Sequence, residues 1–200
     1  MIQVMATKKK GLTYYQLNKI KNNLRYFYSI ADDDQIERGK AWYREANQWC
    51  EFMAVKYGYP TYVVAEVLSA LSPRNKWQRN KADAEAVLSA VRNNEPMESV
   101  KVCTFNTNKE KAFDIARLKT RIVHGSPKTY SFVQNIAYLH SDFVTVDVWH
   151  MRACFDKMIV PNLTDLRYGQ IAKATKKVAA EFGLKGFEFQ AIVWNVVRES

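Results

Sequence analysis

The sequence predicts an all-α protein, and three observations carry that expectation. Long stretches place apolar residues three and four apart, the period of a helix face, and the strict alternation of a half-buried strand is scarce. Glycine and proline number only 7 and 5 in 200 residues, few for a chain folded through many β-turns. Hydrophobic residues make up 48% and charged residues 25%, a globular balance that at this length can bury a sizeable core.

Each element follows from local signals. The first ten residues read as a loose arm. A helix is expected from about Leu12 to Ile30, with Leu17, Ile20, Leu24 and Phe27 on one face. Ala31-Asp32-Asp33-Asp34 is a break and an N-cap. The long helix after it runs to about Tyr57, burying Ile36, Trp42, Tyr43, Ala46, Trp49 and Met53, and Gly58 stops it. Pro60 opens the helix TYVVAEVLSALS, apolar almost all round and so expected at the centre of the fold. Ser72-Pro73-Arg74-Asn75 ends it, and another helix spans about Trp77 to Val91. Asn93 to Pro96 is a loop, followed by a short apolar turn around Val100 and Val102. Asn106-Thr107-Asn108 caps the helix KEKAFDIARLK. His124-Gly125-Ser126-Pro127 is hairpin-like and leads into a helix from Lys128 to about Leu139. Phe143 to Val146 is extended, and Asp147 caps the helix VWHMRACF. Helices over about Asp165–Phe182 and Phe187–Arg198 complete the chain, with no repeat or linker between elements.

The net charge is +10, from 30 basic and 20 acidic residues, which favours a polyanionic partner: nucleic acid first, an anionic membrane surface second. No apolar run approaches the ~18 residues of a membrane span, and the start MIQVMATKKKG lacks the apolar core of a signal peptide. A cytoplasmic protein without a membrane partner is expected. Cys50, Cys103 and Cys154 are odd in number and match no metal or disulfide spacing, so each is expected to pack as a small core residue. His124 and His140 have no ligand-like spacing, and no metal or other cofactor is expected.

Four segments stand in a telling order. They are Leu71-Ser72-Pro73-Arg74 followed by Asn80-Lys81-Ala82; Asn108-Lys109-Glu110-Lys111-Ala112-Phe113-Asp114-Ile115; Gly125-Ser126-Pro127-Lys128-Thr129; and Val144-Thr145-Val146-Asp147-Val148-Trp149-His150. Together they resemble the helix-hairpin-helix DNA glycosylases, the superfamily of endonuclease III and the 8-oxoguanine glycosylases. In order, they resemble its Leu-Ser-Ala-Gln turn, its Lys-Ala-x-x-Ile helix, the hairpin ending Gly-x-Lys-Thr, and its Val-Asp-x-His segment. The 19 residues from Lys128 to Asp147 fit that order. The hairpin departs from the family's Leu-Pro-Gly-Val-Gly, reading Ile122-Val123-His124-Gly125-Ser126-Pro127 with a single glycine. No four-cysteine signature follows, so no iron–sulfur cluster is implied. The flanking helices also resemble small phage proteins in texture.

The resemblance implies a single two-lobed helical domain over residues 1–200. One lobe would hold residues about 70–140, and the other about 12–69 plus 141–200. Lys128 and Asp147 would face each other across a cleft. The implied activity is a DNA N-glycosylase that removes a damaged or modified base, with abasic-site lyase activity as well if it falls in the lyase-competent branch of the family. It would act as a monomer on double-stranded DNA with an extruded base, in the host cytoplasm if phage-encoded. Two other readings stay open: a same-fold enzyme that processes modified bases in phage DNA without excision, and a DNA-binding module without catalysis.

As a residue, Asp147 is a helix cap worth about 1 kcal/mol. By the resemblance it is the catalytic carboxylate, offsetting positive charge on the sugar and deprotonating the nucleophile. Lys128 reads either as an exposed lysine or as an amine that the helix start disfavours as an ammonium. By the resemblance its free amine attacks the sugar to form a Schiff base. Arg74, Lys76, Arg79 and Lys81 fall within eight residues with no acid among them, a DNA-binding face or a solvated one. By position Arg74 or Asn75 resembles the wedge that fills the hole left by the extruded base, and Gly125, Ser126 and Thr129 belong to the hairpin that grips the backbone. From Lys101 to Lys128 seven basic residues meet only Glu110 and Asp114. Trp149, His150 and Trp77 are candidates for the base pocket, each with a core role as the alternative.

Overall fold

Capping side chains set the first helix boundaries. The Thr13 hydroxyl accepts the Gln16 amide at 3.3 Å and the Gln16 side chain accepts the Thr13 amide at 2.9 Å, a reciprocal box that opens α1 (Tyr14–Ser29). Asp32 and Gln35 repeat the exchange at 2.7 and 3.1 Å where α2 (Asp33–Tyr57) begins. Gly58 ends α2 at φ +70°, a backbone region that costs other residues energy. Extended Pro60 precedes α3 (Thr61–Leu71), and α4 (Trp77–Arg92) follows the turn after it. A 3₁₀ turn over Met97–Ser99 leads to α5 (Asn106–Ala116) and α6 (Pro127–Ala137). Then come α7 (Val148–Cys154), α8 (Asp165–Glu181) and α9 (Gly186–Glu199).

This computed structural model describes residues 11–156 and 162–200. The arm expected over residues 1–10 lies outside them. Among the described residues the protein is all-α, with nine α-helices and no strand. None of these helices is long and apolar enough to cross a membrane.

The chain forms two units. One joins residues up to Lys40 with Val146–Ser200, and the other is Ala41–Thr145. The sequence places residues 12–69 with the C-terminal helices, whereas the structure groups Ala41 onward, α3 included, with α4–α6. The reason lies in α3 itself. Every residue from Val63 to Leu71 is buried, and α3 packs on α4, α5 and α6. Leu88, Phe113, Ile115 and Ile136 fill the same core.

In the other unit α1 packs on α7, α8 and α9, burying Ile20, Leu24 and Phe27 with Ile171, Val178, Phe189 and Ile192. Gly39 is required there. A Cβ on it would lie 2.6 Å from the Ile192 Cα and 2.7 Å from its nitrogen, where no side chain fits. The Asn23 amide donates to the Cys154 carbonyl at 2.9 Å and so closes the end of α7.

Two sequence expectations shift. Asn106-Thr107-Asn108 occupy the first turn of α5 instead of capping it, since Phe105 is the N-cap and makes no side-chain bond. That helix ends at Ala116, because Leu118 turns into the left-handed region at φ 59°. Phe143 to Val146, expected to be extended, belongs to no helix or strand, and the Val146 amide donates to the Tyr168 hydroxyl at 3.1 Å.

Candidate functional site

In the Ala41–Thr145 unit, one buried carboxylate organises the first candidate turn. Asp83 on α4 is 2% exposed. It accepts the Asn75 side-chain amide at 2.9 Å, the Cys103 backbone amide at 2.7 Å and Arg79 Nε at 2.7 Å. The Thr104 hydroxyl donates to the Pro73 carbonyl at 3.0 Å, so the turn before α4 and the loop before α5 are held as one piece. Arg74 projects from its tip at φ 57°, exposed, with its guanidinium 5.3 Å from the exposed Phe105 ring.

This geometry sorts the expected DNA contacts. Arg74 and Lys76 are exposed cations, and Lys81 lies 5.7 Å over the Trp77 ring. Asn75 is not a wedge, because its amide is turned inward to Asp83. Arg79 is not a free cation, because Asp83 takes its Nε. Trp77 is half-buried 4.8 Å from Trp42, within an aromatic cluster that extends to Phe132. That packing replaces the open base pocket expected of it.

The hairpin is anchored to α3. Arg121 Nε donates to both oxygens of Glu66 at 2.8 and 2.9 Å, and its guanidinium lies 4.1 Å over the Tyr62 ring. Glu66 is 1% exposed, and burial raises its carboxyl above the usual range, opposed by Arg121. Farther along, the Ser69 hydroxyl donates to the Thr129 carbonyl at 3.2 Å. Gly125 and Ser126 stand exposed between these anchors, and a Cβ at Gly125 would meet nothing within 4 Å. Pro127 is the first helical residue and has no amide to offer a phosphate. Lys128 follows it, exposed and in no ion pair among the described residues.

In the other unit Asp147 caps α7. Its Oδ1 accepts the His150 amide at 2.8 Å, and the residue is half-buried. His150 itself is fully buried, with Nε2 2.8 Å from the Thr175 hydroxyl. That hydroxyl donates to the Ile171 carbonyl at 3.0 Å, so the proton between His150 and Thr175 belongs to Nε2. Burial lowers its pKa to about 4. His150 therefore holds α7 to α8 and does not line a base pocket. Trp149 is half-buried, and its ring faces the guanidiniums of Arg152 at 4.4 Å and Arg198 at 5.9 Å, so the stacking partners it has are cations.

A family model described as a family of unknown function, DUF7178, matches residues 5–200. The chain belongs to DUF7178. No curated protein and no solved structure matches it.

In this DUF7178 chain the expected lysine and carboxylate fall in different units: Lys128 is the second residue of α6, and Asp147 caps α7. The DUF7178 cysteines divide likewise by environment. Cys50 and Cys154 are buried, and burial pushes the Cys50 thiol up to about 12 and the Cys154 thiol well above its ordinary value. Cys103 is exposed, contrary to a core role, because it sits in the loop that Asp83 pins by its backbone. Sequence reasoning passed over Asp83, Glu66, Phe105, Arg152 and Arg198. Of these Asp83 left a signal, the i,i+4 spacing from Arg79.

Proposed function

We propose that this DUF7178 protein is a DNA N-glycosylase of the helix-hairpin-helix type, with Asp147 as its catalytic carboxylate. One observation carries the proposal. Asp147 stands half-exposed with its own backbone extended, its carboxylate fixed by the His150 amide on a helix pinned at both ends. A carboxylate held this way is preorganised for charge that develops beside it. As the bond between base and sugar breaks, its electron pair leaves with the base nitrogen and the sugar becomes cationic. Asp147 offsets that charge and takes the proton of the attacking water.

Lys128 supplies the lyase step. It is exposed and in no ion pair among the described residues, and its free amine can condense with the aldehyde carbon of an abasic sugar, which loses water as the Schiff base forms. The +10 charge supports a DNA partner, and Arg74 on its pinned turn supports a wedge role. The protein would act as a monomer on double-stranded DNA in a cytoplasmic setting, that of the host if phage-encoded. Pro127, which withholds one amide from the hairpin, favours a second reading: a scaffold that binds DNA without excising a base.

The test is incubation with duplexes carrying damaged or phage-type modified bases, read as strand cleavage after alkali. Cleavage of at least one substrate is expected, with a borohydride-trapped adduct that disappears in Lys128→Ala. DNA binding with no product from any substrate supports the non-excising scaffold and removes the glycosylase.

A further inference from the structure

Trp149 has surroundings that base excision does not use. Its ring lies 4.4 Å from the guanidinium of Arg152, on the same helix, and 5.9 Å from that of Arg198 on α9. Arg198 in turn lies 4.9 Å from the Trp194 ring. Stacking holds planar guanidiniums in place and leaves their N–H edges for bonding.

Neither arginine has an ion-pair partner among the described residues. Arg25, Arg38, Arg79 and Arg121 differ, each meeting a carboxylate within 2.8 Å. Glu199, the acid beside Arg198 in sequence, has both oxygens committed to Arg38 and Gln35. Two positioned cations therefore share one indole, and neither is in direct contact with a carboxylate among the described residues. Guanidinium forks match the oxygens of a phosphate, and a pair suits a group that presents two of them.

We infer that Arg152 and Arg198, carried on Trp149, form a phosphate-binding pair that grips a phosphodiester of the DNA backbone. A backbone phosphate fits better than a free one, because Arg198 is exposed and encloses nothing. The inference rests on the DNA-binding part of the proposed function and extends it to the helix that Asp147 caps.

The experiment measures binding to an unmodified duplex between about 50 and 200 mM salt. The parent is compared with Arg152→Gln, Arg198→Gln and the double variant. Each lost phosphate contact reduces the slope of log K against log salt by about 0.9, so the double variant is expected to be shallower by about 1.8. The paired Arg→Lys variant keeps the charge, and so the slope, but loses the fork and binds more weakly. An unchanged slope in a folded double variant overturns the inference. So does tryptophan quenching by inorganic phosphate alone that depends on both arginines while the DNA slope does not. A parent that binds no DNA overturns the proposed function itself, a separate outcome.

Discussion

Arg121 Nε lies 2.8 and 2.9 Å from the two carboxylate oxygens of Glu66, a residue buried in the middle of the most apolar helix of the chain. The pair ties the hairpin to α3 across 55 residues of sequence. Removing the cation strands a buried carboxylate. Arg121→Gln is expected to cost about 1–3 kcal/mol at pH 7, less than a fully buried pair, because the Arg121 side chain is 51% exposed. The pH dependence has a fixed sign. A carboxyl raised in the folded state binds protons that the unfolded chain has already released, so stability falls as pH rises through that window. Arg121→Gln raises Glu66 further, so its deficit against the parent should shrink on acidification from pH 7. Urea titrations of both proteins check this, and a deficit independent of pH contradicts it.

His150 works in the opposite direction. Its folded pKa of about 4 lies below the ordinary value of 6.5, so the unfolded chain binds the extra proton between those values. Stability from this group is complete above pH 6.5 and declines as pH falls toward 4, by up to about 3 kcal/mol over the window. His150→Gln removes the titration. Its stability should fall less than the parent's over that range, and parallel losses would exclude the burial account.

The three thiols should separate by accessibility. Cys103 is exposed, whereas Cys50 and Cys154 are buried and disfavoured as thiolates. A chromogenic disulfide reagent at pH 8 is expected to titrate one thiol in the native protein and all three in denaturant. Cys103→Ser should abolish the native reaction, and rapid reaction of a second thiol would show that a core site opens.

The sequence marks the fold most clearly where a residue type constrains the backbone. Gly58, Pro60, Pro127 and Asp147 each stand at the boundary expected of them, because φ, a missing N–H or a capping oxygen acts within one turn. What escaped notice was set by distant partners. Glu66 in TYVVAEVLSALS reads as one polar interruption, and its guanidinium arrives from Arg121. Asp83 receives the Cys103 amide from 20 residues away. The basic run Arg74–Lys81 looked free of acids only because Asp83 begins two residues beyond it. Of the site candidates, Asp147 kept its expected cap and Arg74 its exposure. His150, Trp77 and Asn75 turned inward, since a side chain's direction depends on which helices pack around it.

The central claim, that Asp147 acts on a sugar rather than only on its helix, is tested most directly by single-turnover base release with the parent and Asp147→Asn, with binding measured alongside. Asparagine caps about as well as aspartate, so the melting temperature and DNA affinity should hold. Release should slow by about 10²-fold or more when the carboxylate is gone. Base release at the parental rate by a folded, DNA-bound Asp147→Asn protein would contradict the account.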